Sequence, residues 1–313
     1  MLSRIADSLC WLHRYMERTD GMLRLLKTSY ILSFDKVQAT SISWEAVLKI
    51  FTSLSQDRID LLKHDETAVL HYLLLDTDNH NSLKVIIARA RENARGAQDQ
   101  ITKEVWEQVN HLYHTINNPT LAEKLAGPDA IVVLDDLINC SDLFGGITDS
   151  TMPRGQGWNY MNIGKFTERC LLTLEFSYAF FQPIKFDFAK EQDILYWRSL
   201  LLALSGYELH LKNYSVYNHN FNVAHQVLFD RHFPRSLYYS LERLNKYLVD
   251  ILLANPVEGT AALQRFFGRL NSSVKFSDLA LVEEMGLDRF LQQVRRDLNE
   301  FSRVFGQVYF SYA

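Results

Sequence analysis

Proline and glycine are scarce in this sequence, with 6 prolines and 13 glycines in 313 residues, about 2% and 4% where roughly 5% and 7% is usual. Residues 1–118 contain no proline. Folds of short strands need such residues at their turns, so sandwiches, barrels and strand solenoids are excluded and long helices are expected. Cys10, Cys140 and Cys170 are too few and too far apart for a disulfide framework or a zinc motif, which makes a reducing cytoplasm the simplest compartment. No run of about 18 apolar residues is present, and Arg4 and Asp7 interrupt the start of the chain where the apolar stretch of a signal peptide would lie. A cytoplasmic protein without membrane contact is expected. The charge is nearly balanced, 33 basic against 37 acidic residues, which argues against a nucleic-acid footprint or a polybasic membrane patch. Also missing are a Gly-x-x-x-x-Gly-Lys-Ser/Thr loop, a strand-linked Gly-x-Gly-x-x-Gly and a Gly-x-Ser-x-Gly elbow.

Helical periodicity is what the chain does have. Ile5, Leu9, Leu12, Met16, Leu23, Leu26 and Tyr30 follow one another in steps built from three and four, which predicts a helix over 2–33. Trp11, Tyr15, Met22 and Leu25 make its other faces apolar too, as for a helix inside a bundle. Further helices are predicted near 44–54, 66–75, 82–97, 101–116, 129–143, 158–182, 189–205, 220–229, 235–254, 259–271 and 287–310. Five glycines fall between 145 and 164, and that segment reads as the one long loop, with Thr148, Thr151, Arg154 and Trp158 available as a binding lip or an interdomain linker.

The chain also resembles itself. Residues 69–89 match 223–243 at an offset of 154 with seven identities in twenty-one positions: Val69, His71, Leu74, Asp76, Ser82, Leu83 and Arg89 against Val223, His225, Leu228, Asp230, Ser236, Leu237 and Arg243. Trp44 pairs with Trp197, and Glu17-Arg18 with Glu168-Arg169, at nearly the same offset. The order is kept, which suggests an all-α bundle of two tandem diverged repeats of about 150 residues, 1–150 and 151–313, merged into one bundle.

Three constellations carry chemistry. Arg14, Glu17 and Arg18, repeated as Lys165, Glu168 and Arg169, place a carboxylate between two cations on one helical face. Such a set is either an internal ion-pair network or a grip on a carboxylate, phosphate or acidic peptide. Arg89, Arg91, Glu92 and Arg95 crowd positive charge on one helix, as a solvated face or as a second anion site. Glu107, His111 and His114 share a face, but the paired Glu-x-x-His motifs of a di-metal bundle are missing, so no metal and no cofactor is assigned. His71 and His225 sit in apolar runs and read as hydrogen-bonded core histidines.

The opening Leu2-Ser-Arg4 through Arg14-Tyr-Met-Glu17-Arg18, the helix Ala90-Arg91-Glu92-Asn93-Ala94-Arg95, Glu104-Val-Trp106-Glu107, and Thr151-Met-Pro-Arg154-Gly-Gln-Gly157-Trp158 together resemble the bacterial alpha-E family. The resemblance implies a helical domain whose polar residues map here to Arg4, Arg14, Glu17, Arg18, Arg91, Glu92, Arg95, Arg154, Glu168 and Arg169. It also implies a circularly permuted ATP-grasp protein of the carboxylate–amine ligase type as partner, with a transglutaminase-like peptidase in the same context. Cys10, His13 and Lys165 depart from the family pattern. The expected role is that of an accessory subunit in amide or peptide synthesis. In it Arg14, Arg18, Arg91 and Arg95 hold carboxylates of the ligase or of a peptide-like substrate, Glu17, Glu92 and Glu168 orient them, and Arg154 and Trp158 are further candidate ligand-binding residues. The alternatives are an enzyme using a glutamate as general acid or base and a purely structural scaffold.

Overall fold

The computed structural model describes residues 1–34 and 42–310, and those residues form an all-α protein. In chain order the helices are α1 (Ser3–Ser33), α2 (Trp44–Phe51), α3 (Gln56–Leu62), α4 (Glu66–Leu74), α5 (Leu83–Gly96), α6 (Lys103–Ile116), α7 (Leu121–Ala126) and α8 (Ala130–Thr151). They continue with α9 (Gln156–Phe181), α10 (Ile194–Ala203), α11 (Tyr207–Asn213), α12 (His219–Phe229), α13 (Leu237–Ala254), α14 (Thr260–Lys275), α15 (Leu279–Met285) and α16 (Leu287–Tyr309). Among the described residues none of these is long and apolar enough to cross a membrane. The chain divides into two compact units: Tyr15–Met152, and Met1–Arg14 together with Pro153–Ala313.

In the unit of Tyr15–Met152, α6 packs against both α5 and α8. Leu83, Ile86, Ile87, Ala90 and Ala94 bury one face of α5, and Val105, Val109, Leu112 and Ile116 bury the facing stripe of α6, the spacing of an amphipathic helix. Gln108 donates from α6 to the Cys140 carbonyl of α8 at 2.8 Å. Arg24 and Lys27 of α1 pair with Asp142 and Asp135 of α8. At the start of α2, Glu45 accepts from Lys49 at 2.6 Å, Lys63 at 3.0 Å and Gln56 at 3.2 Å. The Lys49 hydrogen bond, followed by those of Lys63 and Gln56, holds its carboxyl down at about 2. Because that lies below the unfolded carboxylate range, the stabilisation is complete above the unfolded value and is lost as pH falls from there towards about 2. The side chain is partly solvated, so screening keeps the contribution under about 1 kcal/mol. Glu45→Gln should therefore lower the urea midpoint slightly at pH 7 and leave it unchanged near pH 2; an equal loss at both would exclude this source of the effect.

In the other unit α9 is the central element, packed against α13, α16, α12 and α10. It is buried on nearly every face, from Trp158 through Phe166, Leu174 and Phe176 to Phe181. The head of α1 runs parallel to it. The Met1 amino group donates to Gln156, a Cβ built at Gly164 would stand 2.0 Å from the Cys10 carbonyl oxygen, and Arg14 meets Glu168 at 2.9 Å.

Each half builds one turn in the same way. The Asp76 amide donates to the His71 carbonyl at 3.1 Å, and the Asp230 amide to the His225 carbonyl at 3.1 Å. The Asp side chains then accept from Asp78 and His232, each at 2.8 Å. Ser82 caps α5 by accepting from Val85, and Ser236 caps α13 by accepting from Tyr239, each satisfying one amide that the helix start leaves over. The residues identical between 69–89 and 223–243 thus include the ones that make this turn.

Two expectations fail. Residues 145–151 are helical, the last two turns of α8, and only Met152–Gly155 separates α8 from α9. A Cβ at Gly145 or Gly146 would meet nothing within 4 Å, so these glycines weaken the helix without interrupting it. The hydroxyls of Thr148, Ser150 and Thr151 bond to carbonyls one turn back, so they form no loop lip. His71 and His225 are exposed, not core residues: the buried face of α4 is Val69, Leu70, Leu73 and Leu74, and position 71 lies opposite. His225 Nδ1 lies 3.0 Å from the Tyr214 hydroxyl, which donates to Asp230.

Candidate functional site

The polar residues selected by sequence fall in both units. In the unit that contains α9, Arg14 Nε donates to Glu168 at 2.9 Å, with Glu168 buried and the guanidinium carbon 4.5 Å from the Trp11 ring centre. Arg169 donates to the Pro234 carbonyl. Arg154 stacks on Trp158, 3.8 Å from its ring centre, and Trp158 is a buried residue of the first turn of α9. Arg4 is exposed on α1. A cavity of about 180 Å³ lies beside Arg14, walled largely by Trp11, Ile163, Phe301, Phe305 and Phe310. Its two cations already hold carboxylates, Arg14 that of Glu168 and Arg303 that of Glu300. The Cys10 thiol also lines it, and burial pushes that thiol up to about 12, with Arg14 acting weakly against the shift. Cys10 is therefore protonated near neutral pH and is no nucleophile there.

In the unit of Tyr15–Met152, Glu17 is buried and Arg18 donates to the Asn81 side chain at 2.9 Å. Asn81 precedes Ser82 and Pro234 lies two residues before Ser236, so Arg18 and Arg169 each reach the turn that leads into the serine cap of their own half. Arg91 donates to Asn110 at 2.6 Å and lies over Tyr113, its guanidinium carbon 4.6 Å from the ring centre. Arg95 holds Glu92 at 2.7 Å on the exposed face of α5. On α6, Glu107 faces Lys103 at 3.4 Å while His111 and His114 are exposed, and among the described residues no group of three histidine, cysteine, aspartate or glutamate side chains could hold a metal ion.

This unit also holds a cleft of about 450 Å³. Lys84, Val85, Ala88, Arg89, Glu92 and Asn93 of α5 form one wall, with Tyr113 of α6, Asn117, Thr77 and Tyr15 of α1 around them. Of the residues that the family resemblance selects, Glu92 alone lines it. Among the described residues neither Lys84 nor Arg89 has a hydrogen-bond or ion-pair partner. Cations held this way in a concave, partly aromatic site are suited to a carboxylate or phosphate. Arg89 was visible in the sequence as part of a charge cluster and Asn93 as part of the motif that follows it; Lys84, Tyr113 and Asn117 carry no motif, and the α5 and α6 residues meet because α5 packs on α6.

A helical domain of this kind, in which Glu17 and Glu168 are buried and each is followed by an arginine, matches one family model over residues 1–310, that of Alpha-E, described as a predicted alpha-helical domain with a conserved ER motif. The chain belongs to the Alpha-E family. Glu17-Arg18, Glu168-Arg169 and Glu242-Arg243 are its Glu-Arg pairs. It is similar to Uncharacterized protein Mb2597 of Mycobacterium bovis and Uncharacterized protein Rv2567 of Mycobacterium tuberculosis. Each is 24% identical over 303 residues, covering 91% of this chain and 34% of the relative. The chain thus spans about a third of the length of the curated relatives it matches. No solved structure matches it.

Proposed function

We propose that this protein is a cytoplasmic accessory subunit of an ATP-grasp amide or peptide ligase system and that it presents a carboxylate-bearing, peptide-like substrate held between α5 and α6. The observation that carries the reading is the cleft of about 450 Å³ in which Lys84 and Arg89 stand without a protein partner among the described residues. A cation without a protein carboxylate offers its hydrogen bonds to a ligand, and a charge-assisted bond of that kind contributes about 1.5–3 kcal/mol. Work alongside a second protein is supported by the relatives, which carry this region within chains about three times as long. For Arg14, Glu168, Arg18 and Arg169 the geometry favours the structural reading, since each is engaged by its own unit.

The test is co-purification with a circularly permuted ATP-grasp protein from the same organism, then ADP release with dipeptides as substrates, with and without this chain. A stable complex whose turnover rises with this chain is the expected result. The double variant Lys84→Ala and Arg89→Ala should leave the complex intact and weaken substrate use by about tenfold or more. No association, or turnover indifferent to both lysine and arginine, would overturn the proposal.

A further inference from the structure

The cleft between α5 and α6 has a direction, and we infer that it reads a short peptide lengthwise, with the C-terminal carboxylate beside Lys84 and the N-terminal ammonium beside Glu92. The inference rests on the reading that this cleft takes a peptide-like carboxylate, and adds polarity, length and side-chain preference to it. Lys84, Ala88 and Glu92 are spaced by four, as are Val85, Arg89 and Asn93, so the wall consists of two adjacent stripes along the helix axis. From Lys84 to Glu92 the helix rises roughly 12 Å, at about 1.5 Å per residue. An extended peptide covers about 3.3–3.6 Å per residue, so three to four residues span that distance.

The two ends differ in sign. Lys84 is the second residue of α5, where the positive end of the helix dipole adds to its charge and favours an anion. Glu92 stands at the other end, and although it accepts from Arg95 at 2.7 Å and has Arg91 at 3.9 Å, a carboxylate has about four acceptor positions and keeps room for an ammonium. Arg89 lies between the ends and is placed for an acidic side chain. Ala88 leaves the floor open, while Asn93 and Asn117 bring amides to the level of the peptide groups. The Asn117 nitrogen already donates to the Tyr113 carbonyl at 2.8 Å, which leaves its oxygen as the group that can accept from a ligand N–H. A polyphosphate fits the site less well, because it has nothing to offer Glu92 and is repelled by it.

Calorimetric titration of the full chain with Ala-Glu-Ala, its C-terminal amide and its N-acetyl form tests the direction. In the native protein, amidation and acetylation should each weaken binding by about tenfold or more, the loss of one charge-assisted contact. In Lys84→Ala the amide and the acid should bind alike while acetylation still weakens binding; in Glu92→Gln the pattern should reverse. Both side chains lie on the surface of α5, and circular dichroism confirms that the variants fold. Peptide binding in which amidation has no effect, or in which Glu92→Gln removes the effect of amidation, overturns the inferred direction and leaves the proposed function standing. If none of the peptides binds, or inorganic phosphate alone does, both fall.

Discussion

Gly164→Ala should destabilise the protein by about 3 kcal/mol or more, the upper end of what overpacking costs, although alanine is the better helix former by about 1 kcal/mol. Gly164 lies inside α9, where a Cβ would stand 2.0 Å from the Cys10 carbonyl oxygen, 2.9 Å from its carbonyl carbon and 3.2 Å from Arg14 Cγ. Two of those three atoms are backbone, so no rotamer change relieves the contact and the head of α1 must move off α9. Moving it also disturbs the ion pair one turn further on, since Arg14 and Glu168 each lie four residues beyond the crossing. Gly145→Ala and Gly146→Ala are the controls. Both positions are helical with nothing within 4 Å of a new Cβ, so each should stabilise by about 0.5–1 kcal/mol. Urea midpoints at constant m-value measure all three, and a stabilised Gly164→Ala would show that the crossing can open without cost.

Those glycines mark where the sequence was readable and where it was not. Gly145, Gly146 and Gly164 looked alike as members of one cluster, yet two are helix positions with open space around a new Cβ and one is a helix contact, a difference set by which helix lies opposite. The long helices were legible because α1, α5, α6, α13 and α16 repeat their apolar residues over three turns or more. The short helices α3, α7, α11 and α15 went unseen, since six or seven residues complete fewer than two turns and leave no period to count. The internal match was legible residue by residue, and its aspartates and serines make the same bonds in the turns after α4 and α12. Of the candidate site, the charge cluster of α5 was visible, but its partition was not. Arg91 turns to Asn110 and Tyr113, Arg95 to Glu92, and Arg89 to the cleft, and only the packing of α6 decides which arginine goes where.

Removing either half of the Arg14–Glu168 pair should not cost the same. Glu168 is the deeper partner, its side chain 4% exposed against 13% for Arg14. Arg14→Ala leaves a carboxylate in a largely apolar surrounding without the guanidinium that faces it, and the expected loss is about 3–5 kcal/mol. In Glu168→Gln the remaining group is the arginine, which keeps the Trp11 face and some access to water, while glutamine still offers an acceptor; about 1–2 kcal/mol is expected. Arg14→Met with Glu168→Leu should recover most of the larger loss, because two apolar side chains of similar length leave no charge to solvate. A double-mutant cycle on urea midpoints separates the coupling from the single losses. Since both residues lie in the unit that contains α9 and the cleft lies wholly within Tyr15–Met152, Glu168→Gln should leave peptide affinity at the cleft unchanged. If it abolished that affinity while the fold persisted, the Glu-Arg pair would have a part in binding that its geometry does not assign to it. Equal losses from Arg14→Ala and Glu168→Gln would mean instead that the carboxylate is supported well enough by its other neighbours for Arg14 to be dispensable.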